Sequence, residues 1–388
     1  MVGKKDNNKN TKRRNELKVA LVCDWLTNVG GAEKVLLEMH KLYPDAPIYT
    51  SKYDPKGIDW FKDADVRTGW LQMFPTKLRR VMGSMRQNYF EKLDLSEYDL
   101  VISVTGAEAK AVKVPNGIHI SFCHVPTQYY WQMYDDYVEN PGFGALNPIV
   151  RFFFKRMVRN LRVRDLEAAK RVDYFVTISE YAKDLIKKYY KRDSVVVWPP
   201  VETEDFKNVK TERRLTVEKF HVDDAYVVTS RQVTWKKIDL AVKACLMTKR
   251  HLLVIGEGPE HKKLMKIANG SEYIKFLPLM KKEDLAKYLS QAKGYLFPSL
   301  EPFGIAPVEA LAAGCPVIAY VEGGARDYII DGKNGMLFDR QTGKDLAAAI
   351  LEYEKKEFDR EMVSKSVDKF SVERFDKEMT RFINEKIN

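Results

Sequence analysis

The sequence predicts an α/β protein built from two consecutive parallel-sheet domains. Three observations support this fold class: the chain has 388 residues, short apolar runs alternate with helical patterns, and this alternation restarts near residue 200. A chain of this length forms two or three domains, because one hydrophobic core rarely serves more than about 250–300 residues. Strands that alternate with helices are typical of parallel sheets covered by helices on both faces.

The first domain is predicted over residues 18–199. It begins with the strand KVALVCDWL (18–26), a glycine turn and a helical pattern from Ala32 to Leu42. Further strand candidates are YDLVISV (98–104), IHISFCHV (118–125) and VDYFVTIS (172–179). A buried strand, a glycine turn and a helix form one half of a nucleotide-binding unit.

The second domain is predicted over residues 200–370. Pro199 and Pro200 mark its start, because proline continues neither a helix nor a central strand. Its strand candidates are YVVTS (226–230), HLLVIGEG (251–258), YIKFLPL (273–279), GYLFPSL (294–300) and CPVIAY (315–320). The final segment, residues 371–388, predicts a helix with Ser371 as its N-cap, and the sequence leaves open where this helix docks.

Composition and charge narrow the class of protein. The net charge is +11, and part of it lies in residues 1–17, which we predict to be a disordered basic tail. No apolar run approaches the roughly 20 residues of a membrane-spanning helix, and no secretory signal is visible. The four cysteines stand far apart without metal-ligand spacing, so we expect a reduced, cytoplasmic protein.

Two stretches of the first domain are basic and contain no acidic residue: Arg67–Asn88 and Arg151–Arg164. In the second stretch, cations recur at helical spacing at Arg151, Lys155, Arg159 and Arg162. The neighbouring apolar stripe is Phe154, Met157, Val158 and Leu161. Either this is an ordinary amphipathic helix with a solvated basic face, or it is a site for an anionic surface. No nucleic-acid-binding motif is present, so nucleic acid is not expected as a partner.

Charged residues recur where predicted strands end. Glu301 follows one strand, and Glu309 lies on the helix after it, with Gly304 between them permitting close backbone approach. Alternatively, Glu309 complements the helix dipole and Glu301 is a loop charge. Arg231 and Lys236 stand at another strand end beside a helix N-terminus, which suits a diphosphate, although lysines here can also be ordinary surface residues.

Together these motifs resemble the retaining glycosyltransferases of family 4, which have the GT-B fold. Glu301 and Glu309 have the E-x7-E spacing of that family, and Arg231 with Lys236 matches its R-x4-K motif. The resemblance runs from about Lys18 to Ile387 and is strongest to bacterial mannosyltransferases of O-antigen-like polysaccharides. It implies two facing Rossmann-like domains, the first binding the acceptor and the second the donor, with a C-terminal helix able to cross back to the first.

The resemblance also implies roles for particular residues. Arg231 and Lys236 hold the diphosphate and stabilise the leaving phosphate, Glu309 binds the ribose, and Glu301 binds the sugar. His124 matches the family histidine near the sugar. The other residues implied to bind the nucleotide sugar are Gly30, Gly31, Gly256, Leu277, Phe303, Gly304, Ile305 and Ala306.

The implied activity is transfer of a hexose, with mannose from GDP-mannose expected, to a lipid-linked or glycan acceptor in polysaccharide biosynthesis. No cofactor or metal is expected, and we expect the protein to lie peripherally on the inner, anionic face of the plasma membrane. Two departures from the family pattern are Pro278, where glycine is usual, and Asp327, where glutamate is usual. The alternatives are a nucleotide-sugar epimerase of the same architecture and a non-catalytic scaffold.

Overall fold

The computed structural model describes residues 17–76, 78, 82–139, 144–207, 209 and 213–387. The chain divides into two compact units. The first runs to Pro199 and also takes in the chain from Phe375 onwards, and the second is Pro200–Arg374. The predicted basic tail lies outside the described residues except for its last position.

The first unit is centred on a parallel sheet. Its strands within the described ranges are β1 (Val19–Cys23), β2 (Ile48–Thr50), β3 (Val66–Arg67), β4 (Leu100–Thr105), β5 (Ile118–Cys123), β6 (Tyr174–Thr177) and β7 (Ser194–Val196). They are ordered β3-β2-β1-β4-β5-β6-β7, and all neighbours are parallel. Strands β1 and β4 are buried throughout, because helices cover both faces of such a sheet.

Helices connect the strands of this first sheet. They are α1 (Gly31–Leu42), α2 (Gly83–Glu91), α3 (Tyr134–Glu139), α4 (Asn147–Arg171) and α5 (Glu180–Tyr190). Helix α5 has a typical N-cap, since the Ala182 backbone N–H donates to Ser179 Oγ at 3.0 Å. The sequence predicts the longer strands but not β2, β3 and β7, which are too short to show a hydrophobic pattern.

The second unit contains another parallel sheet. Its described strands are β10 (Ala225–Thr229), β11 (His251–Ile255), β12 (Ile274–Leu277), β13 (Gly294–Phe297), β14 (Val317–Tyr320) and β15 (Gly335–Phe338). Their order is β12-β11-β10-β13-β14-β15, again parallel throughout. A small antiparallel pair, β8 (Thr216–Val217) and β9 (Phe220–His221), precedes this sheet.

Helices pack around the second sheet. They are α6 (Ile238–Thr248), α7 (His261–Ala268), α8 (Lys282–Gln291), α9 (Ile305–Ala312), α10 (Gly343–Tyr353) and α11 (Arg360–Lys365). The core of this unit joins apolar side chains of α6 and α10 to those of β10 and β11, including Ile238, Ile350, Val228 and Val254.

The C-terminal helix α12 (Val372–Ile387) docks on the first unit from Phe375 onwards. The Phe375 ring lies 5.9 Å from that of Phe122, and the Phe382 ring lies 6.3 Å from that of Tyr174. Ser371 is its N-cap, as predicted, since the Arg374 N–H donates to Ser371 Oγ at 3.3 Å. The crossing back that the resemblance allows is therefore present.

Strand order reverses once in each large sheet. The reversal falls between β1 and β4 in the first unit and between β10 and β13 in the second. Open parallel sheets bind ligands at this switch point, in the crevice outside the carboxyl ends of the strands. The segments that follow these four strands are therefore the places to look for a site.

Candidate functional site

Arg231 and Lys236 follow β10 at the switch point of the second unit. Lys236 ends a short 3-10 turn, Thr234–Lys236, that leads into α6, and its Nζ donates to Glu301 Oε1 at 2.7 Å. Arg231 is exposed, whereas the Lys236 side chain is 23 % exposed. The structure thus joins the R-x4-K and E-x7-E motifs, which lie far apart in the sequence.

Glu301 is held in place by the loop around it. Its Oε1 also accepts a hydrogen bond from Ser299 Oγ at 2.7 Å, and its backbone carbonyl accepts one from the Gly324 N–H at 2.8 Å. A Cβ on Gly324 would lie 2.3 Å from the carbonyl oxygen of Pro302, so only glycine allows this approach. Gly324 and Ser299 are site residues that the motif reasoning did not single out.

The backbone between the two glutamates is also fixed. Phe303 is buried, and its carbonyl accepts a hydrogen bond from Tyr328 Oη at 2.8 Å. Gly304 has φ +93°, and a Cβ there would lie 2.6 Å from the Phe297 ring. Ile305 and Ala306 then open helix α9. The first N–H groups of a helix lack intrahelical acceptors, so this turn can donate to a ligand.

Glu309 lies on α9 beyond its first turn, which starts at Ile305. The alternative that Glu309 simply complements the helix dipole from the first turn is therefore wrong. The negative charges of the Glu309 and Glu301 carboxylates both affect the pKa of the buried Tyr295 hydroxyl. Burial is the main cause that raises the pKa of Tyr295, and the two carboxylates raise it further. Both glutamates are thus within electrostatic range of one point of β13.

Gly256 and Leu277 lie at neighbouring strand ends. The Gly256 N–H donates to the Leu277 carbonyl at 3.0 Å, and a Cβ on Gly256, at φ +120°, would lie 2.4 Å from the Ser230 carbonyl oxygen. Buried Gln232 ties this loop to Arg231: its N–H donates to the Glu257 carbonyl at 2.8 Å, and its side chain donates to the Gly256 carbonyl. No local sequence signal identifies Gln232.

The other three candidates, Gly30, Gly31 and His124, lie in the first unit. Gly30 precedes α1 in extended conformation, and Gly31 is the first residue of that helix. His124 follows β5, and its backbone N–H donates to the Thr105 carbonyl at 2.8 Å. Its Nε2 is buried without a hydrogen-bond partner among the described residues. Burial lowers the pKa of His124 to about 4, so the imidazole is neutral near pH 7.

The predicted basic face of α4 is only partly solvated. Arg151 Nε donates to the Val138 carbonyl at 2.8 Å, and Arg162 Nε donates to the Tyr130 carbonyl at 2.6 Å. Lys155 and Arg159 are exposed, as is Arg156. The alternative of an ordinary solvated face therefore does not hold for Arg151 and Arg162, because backbone carbonyls of neighbouring segments bind both guanidinium groups.

The apolar side of α4 also departs from its predicted pattern. Val158 and Leu161 are buried, but Met157 is 41 % exposed and is wrongly placed in the predicted apolar stripe. Phe152 and Phe153 are 64 % and 56 % exposed, whereas the ring of Phe154 lies 5.9 Å from that of Tyr134. Within the described ranges, no helix is both long enough and apolar enough to cross a bilayer.

The earlier basic stretch, Arg67–Asn88, is largely structural where it is described. Arg86 is buried and pairs with Glu108 through Nε at 2.8 Å, and Arg67 pairs with exposed Asp65 at 2.7 Å. Its other cations, Lys77, Arg79 and Arg80, lie outside the described residues. The described part of this stretch therefore offers no unpaired cation for an anionic surface.

Comparison with known proteins gives the class of the chain. Residues 209–370 match the family model "Glycosyl transferases group 1". This match supports assignment of the chain to a glycosyltransferase family. An uncharacterised glycosyltransferase of Methanocaldococcus jannaschii is 26 % identical over 225 residues, which cover 57 % of this chain and 58 % of that protein. A GDP-mannose-dependent phosphatidylinositol monomannoside mannosyltransferase of Mycolicibacterium smegmatis is 29 % identical over 159 residues, covering 36 % of this chain and 42 % of that protein.

Solved structures establish the fold. The Anabaena protein HepE in complex with UDP aligns with a TM-score of 0.66 at 16 % identity, covering 95 % of this chain and 100 % of that chain. Sucrose-phosphate synthase of Thermosynechococcus elongatus aligns with a TM-score of 0.69 at 17 % identity, covering 95 % and 98 %. The predicted GT-B fold is confirmed. The chain spans only about half the length of the first curated relatives that it matches, 58 % and 49 %.

Proposed function

We propose that this chain is a retaining glycosyltransferase of family 4 that moves a hexose from a nucleotide-diphosphate sugar to an acceptor. The observation that carries the proposal is the 2.7 Å contact between Lys236 Nζ and Glu301 Oε1 at the switch point where Arg231 also lies. Cleavage of the anomeric C–O bond builds negative charge on the leaving diphosphate. Fixed cations stabilise that charge more strongly in the transition state than in the bound substrate.

Each candidate site residue then has a proposed role. Arg231 and Lys236 bind the diphosphate, and Glu301 accepts hydrogen bonds from sugar hydroxyls once the donor replaces Lys236 as its partner. The N–H groups of the first turn of α9 donate to the sugar, and Glu309 binds the ribose. Neutral His124, in the first unit, is proposed to supply an uncharged, hydrogen-bonding imidazole for the transfer step.

The donor is proposed to be GDP-mannose. The M. smegmatis relative, named for GDP-mannose and a mannosyl product, supports this choice. A thermal-shift and hydrolysis screen against GDP-, UDP- and ADP-sugars tests it, with GDP-mannose expected to stabilise the protein most. Stabilisation by UDP-sugars alone would contradict GDP-mannose as the donor. No response to any nucleotide sugar would contradict the proposed glycosyltransferase activity.

Retention and acceptor dependence separate this proposal from an epimerase. Transfer from the α-linked donor with retention gives an α-linked product, which NMR of the product identifies. An epimerase would instead release a free sugar or an altered nucleotide sugar without any acceptor. A non-catalytic scaffold would bind the nucleotide without turnover.

Transfer is proposed to need no metal ion. In the part of the chain that the structure describes, no group of three or more His, Cys, Asp or Glu side chains could hold one. Arg231 and Lys236 would provide the positive charge at the diphosphate instead. Turnover is therefore expected to be unchanged by EDTA, and a loss that Mg²⁺ or Mn²⁺ restores would contradict this view.

The acceptor is proposed to be lipid-linked or a glycan, and the protein to bind the inner, anionic face of the plasma membrane peripherally. Exposed Phe152 and Phe153 stand beside exposed Lys155, Arg156 and Arg159 on α4. Aromatic side chains insert shallowly into the interface, and each cation near an anionic surface contributes about 1 kcal/mol. Reversible binding then needs no spanning helix.

Liposome sedimentation tests this surface. Binding should require anionic lipid, weaken as salt is raised, and fall when Lys155, Arg156 and Arg159 are replaced by Gln. Arg151 and Arg162 are left intact because they bind backbone carbonyls. The matched control replaces three exposed cations of the second unit, Lys249, Lys262 and Lys266, by Gln, with the same charge change. Equal loss of liposome binding in both variants would indicate a general effect of net charge and would contradict the proposal that α4 binds the membrane.

A further inference from the structure

A buried carboxylate occupies the switch point of the first unit. Asp24 directly follows β1 and is only 8 % exposed. Strand order reverses between β1 and β4, so this is the place where an open parallel sheet would otherwise receive a ligand. The reaction proposed above assigns no role to Asp24.

The loop after β4 surrounds this carboxylate with donors. The N–H groups of Gly106 and Ala107 donate to Oδ2 at 2.9 and 3.0 Å, and the N–H of Ala109 donates to Oδ1 at 2.8 Å. Thr105 Oγ1 lies 3.0 Å from both oxygens. Backbone N–H groups that converge in this way form a concavity that binds anions such as phosphate or carboxylate. Here the chain supplies its own carboxylate group, that of Asp24.

Thr105, the last residue of β4, also contacts the backbone of His124. Thr105 donates to Asp24 through its hydroxyl, while its carbonyl accepts the His124 N–H at 2.8 Å. Thr105 Oγ1 also accepts the Ala107 N–H at 3.0 Å, which closes the loop on itself. One residue therefore lies between the buried carboxylate and the backbone that carries the imidazole.

We propose that Asp24 is an internal anion that fills the anion site of the first unit and thereby positions His124 for transfer. The filling of the site follows from geometry alone, whereas the positioning of His124 rests on the proposed function. Because the site is filled, the donor diphosphate is left to the second unit. Asp24 acts through Thr105, so it is a positioning residue.

Chemical rescue tests the filled site without any assay of activity. Asp24→Gly removes the carboxylate and leaves room for formate, the smallest carboxylate. Its melting temperature should fall by roughly 5–10 °C. Formate should restore at least half of that loss, chloride at equal ionic strength should not, and the wild type should not respond. A variant that formate stabilises no more than chloride would overturn the internal-anion assignment.

A matched control lies at the opposite edge of the same sheet. Asp173 is exposed, and among the described residues it accepts one backbone N–H, that of His119, at 2.8 Å. Asp173→Gly should show no rescue by formate, because no converging N–H groups surround that carboxylate. Equal rescue in both variants would reduce the effect to general stabilisation by formate and overturn the proposal.

A second variant covers the case in which Asp24→Gly does not fold. In Asp24→Asn the amide nitrogen cannot accept a hydrogen bond, so the donors of the loop are not all satisfied. Hydrogen exchange of the amides of Gly106, Ala107 and Ala109 should then accelerate at least tenfold, and Asp173→Asn should leave them unchanged. Unchanged exchange in Asp24→Asn would contradict the proposal.

Kinetics test the positioning of His124. In Asp24→Gly, kcat should fall about 10²-fold, the KM for the donor should stay within about twofold, and formate should restore part of kcat. Rescue of stability without rescue of kcat would overturn the positioning and keep the filled site. If the wild type transfers no sugar with any donor, the proposed function fails, and the melting and exchange results still decide on the anion site.

Discussion

The two units place different groups at the same topological position. After β1, the first unit inserts Asp24, whose carboxylate takes up the backbone N–H groups of the facing loop. After β10, the second unit presents Arg231 and Lys236, with Glu301 opposite them after β13. The first crevice is filled by a buried carboxylate of the chain, and the second carries an exposed arginine and a half-buried lysine. Equal sheet topology is therefore not expected to give equal ligand binding, because the side chain at the strand end determines which groups the crevice can accept.

The largest expected effect is on the cations of the second crevice. Arg231→Ala or Lys236→Ala should lower turnover about 10²-fold or more, the scale for removing one preorganised electrostatic contact. The melting temperature should hardly change, since neither side chain belongs to the core. Lys243→Ala is the control: it removes a lysine of α6 that pairs with Asp239 at 2.7 Å and should leave turnover intact. Wild-type turnover in both crevice variants would refute the assignment.

A smaller effect is expected at the opposite edge of the same sheet. There Glu354 accepts hydrogen bonds from Arg250, which precedes β11, and from Lys293, which precedes β13. Burial alone would raise the pKa of Glu354, but these two partners outweigh it and lower the pKa to about 2. The folded state thus favours the ionised form. Its contribution to stability is complete above about pH 4.5 and is lost as the pH falls towards 2.

Glu354→Gln should lower the free energy of unfolding by about 1–2 kcal/mol at pH 7, a value reduced for partial exposure. It should also flatten the dependence of stability on pH below 4.5, as chemical denaturation at several pH values would measure. Turnover at 25 °C should stay unchanged. A variant that loses turnover while remaining folded would show that the two edges of the sheet are not functionally separate.

The smallest effect is expected at Pro278, directly after β12. Proline has no backbone N–H, and glycine, the usual residue in the family that the chain resembles, would add one donor near the nucleotide base. Pro278→Gly should tighten nucleotide binding about 2–10-fold, the net value of one hydrogen bond. Pro278→Ala adds the same N–H with less backbone flexibility. Equal affinities of the two variants in calorimetry would therefore assign the effect to the added backbone N–H. Unchanged affinity in both would exclude a backbone contact there.

Much of the fold follows from local patterns. The long strands β1, β4, β10, β11 and β13 appear as apolar runs, because both faces of a parallel sheet are buried. The N-cap Ser371 is visible because capping depends on residues close in sequence. Strands of two or three residues, such as β3, leave no such pattern. The exposure of Met157 was not predictable either, because helical periodicity gives a face but not the neighbour that covers it.

The candidate donor residues were identifiable because Arg231, Lys236, Glu301 and Glu309 each belong to a spaced motif at a strand end. By itself, then, the sequence determined which charges stand at the carboxyl ends of the strands, since that depends on local order along the chain. Only the tertiary structure decided which of them meet. Asp24 is 82 residues from Gly106, and Lys236 is 65 residues from Glu301, and no local pattern encodes such a pairing. Parallel strands bring residues that are distant in sequence together at one edge of the sheet. At that edge of the first unit, the Asp24 carboxylate accepts backbone N–H groups and fills the crevice. In the second unit, the Glu301 carboxylate pairs with Lys236 and the crevice is left unfilled.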